Sequence, residues 1–244
     1  MRTRGYPPAT PCLTELSGVD TDVVVPFYTG LFGWDAADDA TGVRFTIRDL
    51  RVASARPDGA DRPTWLTHIS TDDLSASVTA ATGAGGRILS RSDEAAVVAD
   101  PAGAVFGLRA GGHGGAQLHE EPGAVCWSDL RTADTTAAET FYAAVFDWKA
   151  RPGEAAPGMT YLEWWSRGRA VCGMSELPAE AAVTAHWSTT FEVADCEAAA
   201  DTCVRLGGTV HQPPWDVGIG TYAGLSDPAG AAFGVISLIP ELRL

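Results

Sequence analysis

Asp100–Leu108 reads DPAGAVFGL and Asp227–Val235 reads DPAGAAFGV, with seven of nine positions identical. Asp-Pro-Ala-Gly is a turn: Asp accepts local backbone hydrogen bonds, Pro fixes φ, and Gly permits positive φ before the next strand. A phrase that recurs and leads each time into a β-rich segment marks the closing strand of a repeated unit.

Working outward, WLTHISTDDLSASVTAATGAGGRI from Trp65 and WSTTFEVADCEAAADTCVRLGGTV from Trp187 share the Trp, an Asp (Asp73, Asp195), an Ala-rich helical run and a Gly-Gly ending. A second pair aligns without a gap, CLTELSGVDTDVVVPFYTGLFGW from Cys12 and CWSDLRTADTTAAETFYAAVFDW from Cys126. Cys12, Leu16, Asp20, Thr21, Phe27, Tyr28, Phe32 and Trp34 recur as Cys126, Leu130, Asp134, Thr135, Phe141, Tyr142, Phe146 and Trp148. The chain is thus written A, B, A′, B′. Each unit opens with an alternating strand, passes an N-capping Thr or Asp, and forms a helix of about 10 to 12 residues ending at Gly or an aromatic. Short β segments follow: VRFTIRD and LRVASA in A, AAVVAD and AVFGLRA in B, TYLEWWS and AVCGMS in A′, TYAGLSD and AAFGVISLI in B′. The fold class is α+β. The expected domains are 8–110 (units 10–57 and 63–110) and 123–241 (units 123–178 and 184–240). The Gly-rich stretch AGGHGGAQLHEEPG places a linker at 111–122, in which His113 and His119 read as solvated.

The 244 residues, 45% of them hydrophobic, suit two small globular domains. Seventeen basic against 31 acidic side chains give a net charge of −14, which argues against nucleic acid and anionic membrane surfaces. No apolar run approaches a membrane span. The start MRTRGYPPATPC continues into prolines and polar residues rather than a signal core, so a cytoplasmic protein is expected. Cys12, Cys126, Cys172, Cys196 and Cys203 show no metal spacing and read as reduced, mostly buried thiols. Phosphate-binding loops and the G-x-S-x-G and H-E-x-x-H motifs are absent.

Four units in two pairs, FYTGLFGW and FYAAVFDW at helix ends, and D-P-x-G before closing strands resemble the vicinal oxygen chelate superfamily, which holds glyoxalases, bleomycin-resistance proteins and extradiol dioxygenases. The resemblance spans about Thr10 to Ile239 and points to the two-domain glyoxalase-like type of actinobacteria. It implies βαβββ units whose strands curl around a small-molecule cavity. Metal-using members carry a His or Glu about seven residues before the helix-capping Asp, and a Glu about seven after the Asp of D-P-x-G. Here those positions hold Leu13, Leu66, Trp127 and Ser188, then Gly107 and Gly234. None of these supplies an imidazole or carboxylate, so no metal and no other cofactor is expected.

Two residues further along each opening strand, on the same face, stand Glu15, His68, Asp129 and Thr190. If A pairs with B, Glu15 meets His68 and Asp129 meets Thr190; if A pairs with B′, Glu15 meets Thr190 and His68 meets Asp129. Glu15, His68 and Asp129 are the candidate catalytic acid/base residues. The same groups also suit satisfied structural hydrogen bonds. Arg51 and Arg109 are candidates to clamp an anionic group, or to form salt bridges. Trp127, Trp148, Trp164, Trp165, Trp187 and Trp215 crowd the second half, against Trp34 and Trp65 in the first. Trp34 and Trp148 end helices and read as core. Trp127, Trp165, Trp187, Trp215, Tyr161, Tyr222 and Thr190 are candidate walls for a flat ligand. The Pro/Gly segment 211–224 reads as a pocket rim or lid.

The resemblance implies a metal-independent enzyme of secondary metabolism, of isomerase, cyclase, lyase or hydroxylase-like type, acting on a small aromatic or polyketide-like molecule. The alternative is a sequestering protein of the bleomycin-resistance kind. A metal-dependent glyoxalase or dioxygenase is disfavoured by the missing ligands. The expected partner is a planar, apolar small molecule, with the protein a monomer or homodimer.

Overall fold

The computed structural model describes residues 1–3, 5–57, 60, 62–111, 114–153, 160–178 and 183–242; His113 lies outside them. Unit A runs β1 (Pro11–Ser17), α1 (Thr21–Phe32), β2 (Asp35–Asp39), β3 (Gly42–Ile47) and β4 (Leu50–Arg56). Unit B runs β5 (Thr64–Thr71), α2 (Leu74–Gly83), β6 (Arg87–Arg91), β7 (Ala95–Ala99) and β8 (Val105–Ala110). Unit A′ follows as β9 (Val125–Thr132), α3 (Thr135–Phe146), β10 (Lys149–Pro152), β11 (Tyr161–Ser166) and β12 (Arg169–Glu176). Unit B′ is β13 (His186–Glu192), α4 (Cys196–Arg205), β14 (Thr209–Asp216), β15 (Gly220–Ser226) and β16 (Ala232–Leu238). Every unit is βαβββ. Asp20, Asp73, Asp134 and Asp195 cap the four helices, each accepting a backbone N–H from the first turn.

Units A and B share one eight-stranded sheet, ordered β2-β3-β4-β1-β5-β8-β7-β6, and A′ and B′ share the second in the same order. The antiparallel β1–β5 pairing sets Leu13 against His68 and Glu15 against Leu66, so A pairs with B. The hydrophobic cores join the units the other way. Leu16, Phe27, Tyr28, Trp34 and Phe45 of unit A pack with Phe191, Cys196, Phe233 and Val235 of B′, while Ile69, Val78 and Phe106 of B pack with Phe141, Tyr142, Trp148 and Trp164 of A′. Between them, central strands meet through short polar side chains: Thr14 bonds Thr189 at 3.1 Å and Thr67 bonds Ser128 at 3.5 Å. The two sheets therefore pack inner face to inner face.

The repeated Asp does more than turn the chain. Asp100 Oδ1 accepts from the Ala102 and Ala104 amides, and Asp227 Oδ1 from those of Ala229 and Ala231. The other oxygen of Asp227 accepts from Tyr28 Oη, which in turn accepts from Trp65 Nε1; Asp100, Tyr142 and Trp187 repeat the chain. Each network links three units.

Three expectations change. The 211–224 segment is no loop or lid: β14 and β15 form a hairpin across Asp216–Gly220. β14 is an edge strand, where Pro213 and Pro214 need no ladder N–H, and its register slips between Gln212 and Trp215. Residues 114–118 do not hang in solvent, because the Ala116 amide donates to Cys12 O, that of Gln117 to Arg51 O, and Leu118 is buried. His119 is three-quarters buried, with its ring against Tyr6 and Nδ1 3.5 Å from Glu120. All five cysteines are free, and all but Cys126 are buried.

Candidate functional site

Side chains alternate across a strand, so with Thr14 and Leu16 turned inward, Leu13 and Glu15 face outward. By the same parity Trp65, Thr67 and Ile69 face in, and Leu66 and His68 face out. Glu15 and His68 are nonetheless 6% and 3% exposed, so the outer face of the first sheet is a recess rather than an open surface. Tyr6, Leu13, Cys12 and Ala116 form a small apolar cluster at its edge.

Glu15 Oε1 lies 3.6 Å from His68 Nε2 and 3.5 Å from Arg56 Nη1, and Ser54 donates to Oε2 at 3.4 Å. Burial pushes the Glu15 carboxyl up, but the His68 contact, with Arg56 and Arg109, outweighs it and brings the pKa down to about 2. Glu15 is ionised at neutral pH. Beyond the Glu15 contact, neither ring nitrogen of His68 has a hydrogen-bond partner among the described residues. Its imidazole lies across Gly107 of β8: a Cβ there would fall 2.1 Å from Nδ1. Two arginines complete the recess. Arg51 Nη1 donates to Gly114 O at 3.3 Å, and a Cβ on Gly114 would fall 2.8 Å from Arg109 Nε, so both guanidinium groups meet at Gly114. The irregularity between β3 and β4, where Thr46 pairs with Arg51 but Phe45 with Ala53, shifts the alternation and brings Arg51 to the face of Ser54.

The equivalent face of the second sheet is aromatic. Trp127 Nε1 donates to Tyr161 Oη at 2.6 Å, and Tyr161 donates to Asp129 Oδ1 at 2.7 Å. Burial raises the Asp129 carboxyl, against the lowering effect of the Tyr161 bond and of Arg131. Tyr161 and Asp129 fill the space over Gly173, and Tyr222 and Thr190 that over Gly234. Trp215 is the cross-strand partner of Tyr222, and its Nε1 is buried without a partner among the described residues. Trp165 donates to Glu163 and lies 4.4 Å beneath the Arg151 guanidinium.

The structure thus gathers Glu15, His68, Arg51 and Arg109 in one recess, and Trp127, Asp129, Tyr161, Thr190, Trp215 and Tyr222 on the other. Trp187 does not join them. It stands three residues before Thr190, hence on the opposite face, and is 5% exposed in the core with its indole bonded to Tyr142. Ser54, Arg56 and Arg131 contribute to the two faces but carry no sequence signal of their own. Gly107, Gly173 and Gly234 share a register position opposite His68, Asp129 and Thr190. Gly107 and Gly234 are where the resemblance places a metal-ligating Glu. With Gly there, and Leu, Trp or Ser at the opening-strand positions, the donor set does not fit a divalent metal. Among the described residues no three His, Cys, Asp or Glu side chains converge.

Two back-to-back sheets of paired βαβββ units define the class, and the glyoxalase-like domain family matches over residues 16–109 and 125–236. The chain belongs to that family. It is 33% identical to the anthracycline biosynthesis protein DnrV of Streptomyces peucetius over 96% of this chain and 94% of that one. DauV, an anthracycline biosynthesis protein of Streptomyces sp. strain C5, is 32% identical over the same shares. The Mn(II)-bound glyoxalase of Novosphingobium aromaticivorans superposes with a TM-score of 0.67 at 14% identity, over 94% of this chain and 82% of that one, a likeness of fold.

Proposed function

We propose that the protein is a metal-independent acid/base enzyme of secondary metabolism acting on a small aromatic, polyketide-like molecule. The observation that carries this reading is the Glu15–His68 pair, an ionised carboxylate 3.6 Å from a buried imidazole whose ring nitrogens have no other partner among the described residues. A buried polar group without a partner costs about 1–3 kcal/mol, a cost that a ligand's hydrogen bond removes. His68 takes or gives the proton at a carbon beside a carbonyl, or at a departing hydroxyl, and Glu15 orients the ring and balances its charge. The chemistry is isomerisation, cyclisation or elimination. Likeness to two anthracycline biosynthesis proteins over nearly the whole chain supports the substrate class.

One observation favours a second reading, sequestration of a planar molecule. The Trp127–Tyr161–Asp129 chain is internally bonded and stands with Trp215 and Tyr222 on one face, which suits stacking without reaction. The test is incubation of the purified protein with a panel of aromatic polyketides, followed by mass spectrometry. Conversion by wild type that falls about 10²- to 10⁴-fold in Glu15→Gln and His68→Ala supports the enzyme. Conversion unchanged in both variants, each checked for folding, overturns it. Tight binding without conversion across the panel supports sequestration.

A further inference from the structure

We propose that the first recess binds the carboxylate of its ligand between Arg51, Arg109 and His68. This rests on the proposed function in using the same recess, and narrows its substrate to an aromatic acid.

Arginines in an acidic protein ordinarily find carboxylates. With 31 acidic side chains against 17 basic, Arg51 and Arg109 are half-buried yet enter no ion pair among the described residues. Their guanidinium groups instead converge on Gly114, although each repels the other. Two cations held together at a recess, one with its Nε buried and unbonded among the described residues, form a receptor for a negative charge in direct contact, since Glu15 and Asp39 act on Arg51 only at a distance. His68 is the independent second observation. Its side chain is 4% exposed, its Nε2 faces Glu15 at 3.6 Å, and its Nδ1 has no hydrogen-bond partner among the described residues. Glu15, the carboxylate closest to hand, is already engaged by Arg56, Ser54 and His68, and does not reach hydrogen-bond distance of Arg51 or Arg109. The overall charge of −14 repels anions at long range, so only a local cluster of this kind holds one. A planar carboxylate matches the guanidinium fork, and the buried Leu13 and Leu66 on the same face offer an apolar surface to its aromatic body.

The probe pair is 2-naphthoate and its neutral carboxamide, titrated calorimetrically into the full-length protein. The carboxylate is expected to bind about tenfold or more tighter than the amide, and Arg51→Gln or Arg109→Gln to lower its affinity about tenfold toward that of the amide. The His68 ring ¹⁵N signals are expected to move with the carboxylate and not with the amide. Equal affinity for the two probes, no binding of the carboxylate, or undiminished carboxylate binding by folded Arg51→Gln and Arg109→Gln each overturns the inference. Should either variant fail to fold, the probe comparison and the His68 signals in wild type decide. Conversion of neutral polyketides with no carboxylate preference removes this inference and leaves the proposed function. Carboxylate selectivity without conversion of any polyketide does the reverse.

Discussion

Tyr28 donates to Asp227 across 199 residues of sequence at 2.9 Å, tying the first helix of the first half to the closing turn of the second. Trp65 completes the chain from a third unit, and Tyr142, Asp100 and Trp187 repeat it. All four aromatic rings are at most 5% exposed, so removing one partner strands another. Tyr28→Phe and Asp227→Asn are each expected to cost about 1–3 kcal/mol in chemical denaturation. Together they cost less than their sum, because they break one network, whereas Tyr28→Phe and Tyr142→Phe add. Additivity within the Tyr28–Asp227 pair would show that the bond carries no coupling.

Glu15 gives the protein a defined acid response. Its folded pKa, about 2, lies below the ordinary 4.5, so its contribution is complete above about 4.5 and is lost as pH falls toward 2. At neutral pH that contribution is on the order of 3 kcal/mol. Asp100, Asp129 and Asp227 act in the opposite sense, since burial raises them and their contribution falls as pH rises. Glu15→Gln removes only the first effect. Melting temperatures of wild type and variant should therefore differ most near pH 6 and converge on approach to pH 2; a gap constant with pH would contradict the placement of the charge.

The second recess has its own sensitivity. Tyr161→Phe leaves the Trp127 indole N–H without its acceptor and Asp129 without its donor. The expected loss is about 1–3 kcal/mol, with the Asp129 carboxyl displaced further upward, since the Tyr161 bond is the largest influence holding it down. Trp187→Phe, on the inner face, should cost comparable stability while leaving binding of planar ligands unchanged. Loss of binding in Trp187→Phe at intact stability would return that indole to the ligand wall.

The strand–helix–strand order, the capping aspartates and the twofold D-P-A-G turn were legible because each is a local rule: a side chain bonding its own backbone, or a Gly at positive φ, as at Gly103 and Gly230. Legibility failed at the edges. β2, β6, β10 and β14 carry little buried surface, so no hydrophobic alternation announces them, and the paired prolines of β14 read as a loop. Aromatic count points Trp187 to the ligand wall, whereas its odd spacing from Thr190 places it inside. Glu15 and His68 were legible by parity. The convergence of Arg51 with Arg109 was not, because it depends on a strand irregularity and on a connecting segment folding back over β1.

Gly107 shows how a missing side chain makes a site. It stands opposite His68 in the parallel β5–β8 ladder, and the imidazole rests where a larger residue would extend. A Cβ at 2.1 Å from Nδ1 is incompatible with the present ring position, and the sheet backbone on either side leaves His68 as the group that must move. Gly107→Ala is expected to cost about 1–3 kcal/mol through overpacking and to swing the imidazole away from Glu15. Losing the contact that lowers it most, the Glu15 carboxyl should then rise, so the acid transition of the variant begins at higher pH than that of wild type. Gly234→Ala, which displaces Tyr222 and Thr190 instead, is the matched control, with similar overpacking and no effect on Glu15. Titration of the carboxyl ¹³C signals in both variants reads the difference. A Glu15 titration unchanged in Gly107→Ala would mean that His68 does not set the charge of the first recess.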